Sequence, residues 1–334
     1  MKRWSFIFLF VALIWVLTSC NVGKESEAMT ETESQTETES LPEAITELRE
    51  DGALTLINKE TNDRAILYSA PDASFLGDAY TVELSLDGAH WYPMDVWTAR
   101  VAVQVKSSQY DLYTTYFVNF DCQGDIQLRV TPKADGDVRI RPEGRNQSRL
   151  DNGAVILTVS EPCQLSLEVG GDIYGNLQIF ANPIEEVNKK DPRILYLGPG
   201  VHTLENCSLI RAQATSVGGE MHDTPTLYIP SGKTLYLAGG AVLQATVVME
   251  NAKNCAVAGR GIIDILPWNR DDNIRSSQNL PSPYGIRVFN SQKCVDQRCP
   301  CARCHELFHL CGQYHRTYRG QFQGHCRCPV ERWI

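Results

Sequence analysis

Thr226-Leu-Tyr-Ile-Pro-Ser-Gly-Lys-Thr-Leu-Tyr-Leu-Ala-Gly-Gly-Ala-Val-Leu243, with Asn254-Cys-Ala-Val-Ala-Gly-Arg-Gly-Ile-Ile-Asp264 after it, decides the fold. Each stretch runs a short apolar strand into a glycine turn and out into another short apolar strand. Leu237 and Val257 stand twenty residues apart, and each is followed by a small residue, a glycine and a new apolar run. A strand–turn–strand unit at such a period marks a solenoid, because one coil buries its apolar face only by stacking on its neighbours. Upstream, Arg193-Ile-Leu-Tyr-Leu-Gly-Pro-Gly-Val-His202 is a strand ending on a Gly-Pro-Gly turn. Downstream, Pro281-Ser-Pro-Tyr-Gly-Ile-Arg-Val-Phe-Asn290 opens a further coil after a polar insertion from Asn269 to Ser277.

Ahead of the solenoid, between about Leu54 and Phe180, the texture is different. Val101-x-Val103-x-Val105, Ile126-x-Leu128-x-Val130, Val138-x-Ile140 and Leu165-x-Leu167-x-Val169 alternate with the period of a strand buried on one face. Turn pairs separate them: Asp87-Gly88, Gln123-Gly124, Asp135-Gly136-Asp137, Asn152-Gly153 and Gly170-Gly171. No helical period persists for ten residues. The expected fold is all-β: an antiparallel β-sandwich over residues 49–187, then the first coils of a parallel β-helix over 188–293.

Three phrases carry a family resemblance. Tyr196-Leu-Gly-Pro-Gly-Val-His202, Ile229-Pro-Ser-Gly-Lys-Thr-Leu-Tyr-Leu-Ala-Gly-Gly-Ala-Val242 and Val257-Ala-Gly-Arg-Gly-Ile-Ile-Asp264 resemble the opening coils of right-handed parallel β-helix glycoside hydrolases. Those are the polygalacturonase and dextranase/isopullulanase groups of the pectin-lyase-like superfamily. Asn176-Leu-Gln-Ile-Phe-Ala-Asn-Pro183 looks like the end of the N-terminal sandwich of the dextranase-like branch, so the resemblance spans about residues 95–293. It implies a right-handed helix, a polysaccharide substrate and no cofactor.

The N-terminus reads as a targeting signal. Lys2 and Arg3 precede an apolar run from Ser5 to Leu17, which is short for a membrane span. Leu17-Thr18-Ser19-Cys20 resembles the bacterial lipobox, which implies cleavage before Cys20 and lipid attachment there. Residues 21–48 are rich in Glu, Ser and Thr and read as a disordered acidic tether from a membrane-anchored lipid to an exported domain. The net charge of −9 argues against nucleic acid as a partner.

At Cys294 the texture breaks. Residues 294–334 hold seven of the twelve cysteines, four of the seven histidines and six arginines, with no lysine. Two readings stay open. Cys299, Cys301, Cys304, His305, His309 and Cys311 carry enough thiolate and imidazole for a zinc site, although paired C-x2-C knuckles are missing and an oxidising location favours disulfides. Alternatively the stretch is a shifted reading frame: removing one nucleotide from the Lys293 codon permits a glycine-punctuated, alternating strand to follow Gln292. The second reading is preferred, and it makes the chain a truncated member of its type.

Glycoside hydrolysis needs two carboxylates flanking the scissile bond. In the families resembled, these aspartates lie on coils beyond Asn290, so no catalytic residue is assigned and the chain as given is expected to be inactive. Asp271-Asp272 falls in the polar insertion, Asp264 reads as a turn residue, and His202 and His222 lack a base or ligand partner at useful spacing. Trp91, Trp97 and Trp268 are candidates for stacking on sugars, which keeps a non-catalytic carbohydrate-binding lipoprotein open as an alternative. A polysaccharide lyase would need Ca²⁺ carboxylates with an Arg or Lys base, and no such set is visible.

Overall fold

The computed structural model describes residues 44–106, 109–144, 148–217, 220–265 and 285–296. The first thirteen strands are β1 (Ile45–Leu48), β2 (Leu54–Ile57), β3 (Arg64–Leu67), β4 (Tyr80–Ser85), β5 (Tyr92–Met94), β6 (Trp97–Lys106), β7 (Gln109–Gln123), β8 (Ile126–Pro132), β9 (Val138–Arg141), β10 (Ser148–Asp151), β11 (Ala154–Val159), β12 (Cys163–Val169) and β13 (Asp172–Pro183). They form two sheets. The larger has the order β1-β2-β3-β7-β13-β12-β9, with β6 also paired to β7, and the smaller runs β10-β11-β8-β4-β5.

Alternation explains how the two sheets close on each other. Ile126, Leu128 and Val130 of β8 are buried while Gln127 and Arg129 between them are not. With Val82, Leu84, Val155 and Leu157 they meet Leu56, Phe120, Leu167 and Ile179 of the larger sheet in one apolar core. Two hairpins turn on two residues each: Asn152 and Gly153 (φ 50° and 84°), and Gly170 and Gly171 (φ 60° and 81°). A left-handed conformation at both central positions matches the twist of the flanking strands.

Two details depart from the sequence reading. The sandwich is antiparallel except at its centre, where β7 and β13 pair in parallel from Leu177↔Tyr116 to Pro183↔Cys122. The stretch to residue 48 read as tether already holds a strand, because Ile45–Leu48 pairs with Leu54–Ile57 as a hairpin. Backbone pairing there outweighs the polar composition that suggested disorder.

The remaining strands are β14 (Ile194–Leu197), β15 (Gly200–His202), β16 (Ile210–Val217), β17 (Glu220–Tyr228), β18 (Thr234–Leu237), β19 (Ala241–Leu243), β20 (Thr246–Glu250), β21 (Ala256–Gly259), β22 (Ile262–Ile263), β23 (Ile286–Phe289) and β24 (Val295–Asp296). They stack into three sheets, β14-β18-β21-β24, β15-β19-β22 and β16-β17-β20-β23. Every pair is parallel except the β16–β17 hairpin, which widens the first coil. This is a parallel β-helix. Leu195, Leu235 and Val257 align on one inward column, and Leu227, Val247 and Ile286 align on another.

The change of texture at Cys294 falls one residue before β24. Ala256↔Val295 and Val257↔Asp296 continue the first sheet as far as Asp296, and the rest of the Cys/His-rich stretch, from residue 297, lies outside the described residues. Asn251 and Asn290 occupy equivalent turn positions with φ 51° and 45°, and Asn254 and Lys293 do so with φ 55° and 52°. Cys294 therefore takes the place of Cys255 in a repeated turn.

Candidate functional site

Several residues singled out in the sequence have structural employment. His202 Nε2 donates to the Gly198 carbonyl (2.7 Å), closing the Gly-Pro-Gly turn. The Asp264 backbone N–H donates to Leu243 O (2.9 Å) as a rung between coils. Arg129, ion-paired to Glu83 at 2.6 Å, lies 4.3 Å over the Trp91 ring and covers one of its faces. Trp97 is buried, so it presents no face to a sugar. His222 lies on β17 opposite Thr215. Cys20, Trp268, Asp271, Asp272 and the zinc candidates Cys299, Cys301, Cys304, His305, His309 and Cys311 fall outside the described residues. Among the described residues no three His, Cys, Asp or Glu side chains gather as a metal site.

Among the described residues a charge cluster joins the sandwich to the coils. Trp97, Phe117 and Phe180 on the outer face of the larger sheet pack against Val242 of β19, with Val201 and Ile262 on the neighbouring rungs. Beside this apolar contact, Arg260 Nε donates to Asp121 Oδ1 (2.6 Å), Nη1 meets Glu185 Oε2 (2.9 Å) and Nη2 donates to Pro183 O (2.8 Å). Asn119 Nδ2 donates to Arg260 O (2.7 Å) and Asn182 Nδ2 to Asn119 Oδ1 (2.7 Å).

The glycines flanking Arg260 make this possible. Gly259 has φ 103°, and a side chain there would strike the Leu237 carbonyl, so the chain passes close under the previous coil and aims Arg260 at the sandwich. Burial works against the Arg260 charge, yet Asp121 and then Glu185 outweigh it and raise its pKa. Burial also pushes the Asp121 carboxyl above its ordinary value, and Arg260 returns only part of that shift. Asp121 Oδ2 has no well-formed hydrogen bond, although the hydroxyl of half-buried Tyr68 stands near it.

A carboxylate with a raised pKa beside a tyrosine is a composition found in active sites. Here the Arg260 and Asp121 side chains are 6% and 1% exposed, so no substrate reaches them. The cluster is a bolt.

The outer face of the third solenoid sheet is exposed at Tyr228, Glu250, Arg287 and Phe289, while Val248 in its middle is buried. Leu227, Val247 and Ile286 point into the coils, which turns Tyr228, Val248 and Arg287 outward in one register column. Glu250 and Phe289 form the next column. Tyr228 is 40% exposed and Phe289 52%, with the Arg287 guanidinium 6.0 Å from the Phe289 ring. Tyr228 Oη donates to Gln213 Oε1 (2.6 Å), which fixes the ring's tilt. Two exposed rings on β17 and β23, either side of the β20 strand, with an arginine and a glutamate alongside, can stack on the C–H face of a sugar ring and hydrogen-bond its hydroxyls. The sequence carried a signal for this set, since Tyr228 and Phe289 break the apolar-in, polar-out alternation of their strands.

No aspartate or glutamate of the described coils stands opposite another across paired strands. A cavity of about 360 Å³ at the sandwich end is lined by Asn58, Asp63, Asp87 and Asp125 among others, but these groups are spent on turns. Asn58 donates to Leu86 O, Asp63 accepts from Thr61 and the Asp125 N–H, and Asp87 holds His90.

A comparison with protein-family models gives no match, and a comparison with curated proteins gives none. Among solved structures the chain is similar to Dex49A from Penicillium minioluteum, with TM-score 0.42 and 16% identity, over 70% of this chain and 56% of that one. The chain thus spans little more than half of that protein's length.

Proposed function

We propose that this protein engages polysaccharide at a cell surface, as a lipid-anchored relative of β-helix glycoside hydrolases, and that its described coils bind sugar without cleaving it. The observation that carries the reading is the open face of Tyr228, Arg287, Phe289 and Glu250 on stacked parallel strands. Registered strands repeat at about 4.8 Å, so such a face offers successive contacts along a polymer. Cleavage would need a carboxylic acid and a carboxylate facing one another across the bond. The registered strands of the described coils bring no two carboxylates opposite one another.

Affinity electrophoresis in gels containing dextran, polygalacturonate or other polysaccharides tests the reading, with a reducing-end assay run beside it. Retardation is expected in at least one gel. Replacing both exposed rings (Tyr228→Ala with Phe289→Ala) is expected to weaken it about tenfold, since each ring contributes on the order of 0.5–1 kcal/mol. Unchanged melting of the double variant ties that loss to the surface. Absence of retardation in every gel overturns polysaccharide binding, and retardation indifferent to the double variant overturns this face as its site. Release of reducing ends by the wild-type chain overturns the non-catalytic reading.

A further inference from the structure

We infer that Cys255 and Cys294 are a disulfide site that clasps the third coil to the strand opening the fourth. The pairs Ala256↔Val295 and Val257↔Asp296, and the bridge Lys253↔Gln292, share one offset and place the two cysteines on adjacent parallel rungs. The Asn254 N–H donates to Gln292 O (3.1 Å) immediately before them, so the register is fixed on both sides of the pair. Adjacent strands lie about 4.8 Å apart, inside the roughly 4.4–6.8 Å that a disulfide spans between Cα atoms.

Both side chains face the same interior. Cys255 belongs to the apolar core of the coils and Cys294 packs against it. Cys255 Sγ lies 3.2 Å from Pro230 O, and Cys294 Sγ lies 4.0 Å from Ala252 O. Burial pushes the Cys255 thiol above its ordinary value, and the neighbouring Cys294 side chain adds to the push. Both thiols are free in this structure.

The two buried cysteines of the sandwich lack this geometry. Cys122 on β7 and Cys163 on β12 have β13 between them, since Cys163 pairs with Ala181 and Cys122 with Pro183. Two strand spacings make about 10 Å, beyond the reach of a disulfide.

The chemistry is thiol–disulfide exchange with a disulfide oxidant such as oxidised glutathione or a protein disulfide. The more accessible Cys294 gives up its proton, attacks one sulfur of the oxidant and expels a thiolate. Cys255, deprotonated in turn, attacks the Cys294 sulfur of the mixed disulfide and expels the second thiolate. Two thiols are oxidised, one external disulfide is reduced to two thiols, and no further reactant is needed.

The test uses the full chain, reduced, then incubated with oxidised glutathione, alkylated, digested and mapped by mass spectrometry. The expected product is one cross-linked peptide pair holding Cys255 and Cys294, absent from Cys294→Ser. In the oxidised wild type, proteolysis between Arg260 and Lys293 should leave the two ends joined until reductant is added. Recovery of Cys255 as an alkylated thiol after oxidation overturns the inference, as does its linkage to glutathione or to any cysteine other than Cys294. The mapping is read on the wild-type chain, so it stands whether or not the serine variant folds.

Discussion

Asp87 shows how much one side chain can organise. Burial alone would raise its pKa, but the His90 ring at 2.6 Å, the His90 and Ala89 N–H groups at 2.8 Å and the Ser85 hydroxyl pull it down to about 2. A carboxyl depressed in the folded state contributes stability above its ordinary pKa and loses it as pH falls toward 2. Its side chain is 8% exposed while that of His90 is 38% exposed, so solvent screening trims the contribution to about 1 kcal/mol. Asp87→Asn is expected to cost that much in urea unfolding near pH 5, with the gap to wild type closing as pH falls through about 2. A gap that stays constant across that range would mean the charge is not involved. The Asp87-Gly88 pair was legible as a turn from sequence, because Gly88 takes φ 76°. The hydrogen-bond fan was not, since it depends on the Ser85 and His90 rotamers.

Within the coils, the recurring element is a turn that begins in a left-handed residue. Gly232, Asn254 and Lys293 hold φ 75°, 55° and 52°, and the Gly232 N–H donates to Lys253 O just as the Asn254 N–H donates to Gln292 O. Asn290 Nδ2 donates to Asn251 Oδ1 at 2.5 Å, a side-chain ladder between successive turns. Lysine is the residue in this set least suited to the conformation, which costs an ordinary L side chain roughly 1–2 kcal/mol. Lys293→Asn is expected to stabilise the turn by about 0.5–1 kcal/mol. Hydrogen exchange should show it as slower opening of the Ile286–Phe289 amides, and faster opening would mean that the lysine contributes a contact worth more than the strain. The coil strands were legible because an apolar run punctuated by glycine has few other uses. By composition Cys294 belongs with the cysteine-dense stretch after it, and by register it also stands in the turn before β24. The 39-residue spacing from Asn251 to Asn290 was the signal that places Cys294 with the coil.

At the scale of the whole molecule, the described sandwich and solenoid strands meet at a joint that nothing in local sequence pattern announces. Asp121 and Arg260 are 139 residues apart, and each sits in a strand or turn that would fold the same way with other side chains. Even Val257-Ala-Gly-Arg-Gly-Ile-Ile263, read as architecture, gave no hint that its arginine reaches into another sheet. Tyr68 packs over Gly239, where any side chain would collide with its ring, so the contact continues beyond the ion pair. Removing one member of a buried pair strands the other and costs about 3–5 kcal/mol. Arg260→Met leaves Asp121 and Glu185 facing each other without a cation, whereas Arg260→Met with Asp121→Asn removes most of that charge and is expected to recover part of the loss. If the joint couples the two halves, wild-type amides of β13 and of β19 lose protection at the same urea concentration, as in a single cooperative transition. In Arg260→Met the β19 amides should open first, at lower urea, while β13 stays protected by the sandwich core. Separate transitions already present in the wild type would mean that the bolt orients the coils without coupling their stability to the sandwich.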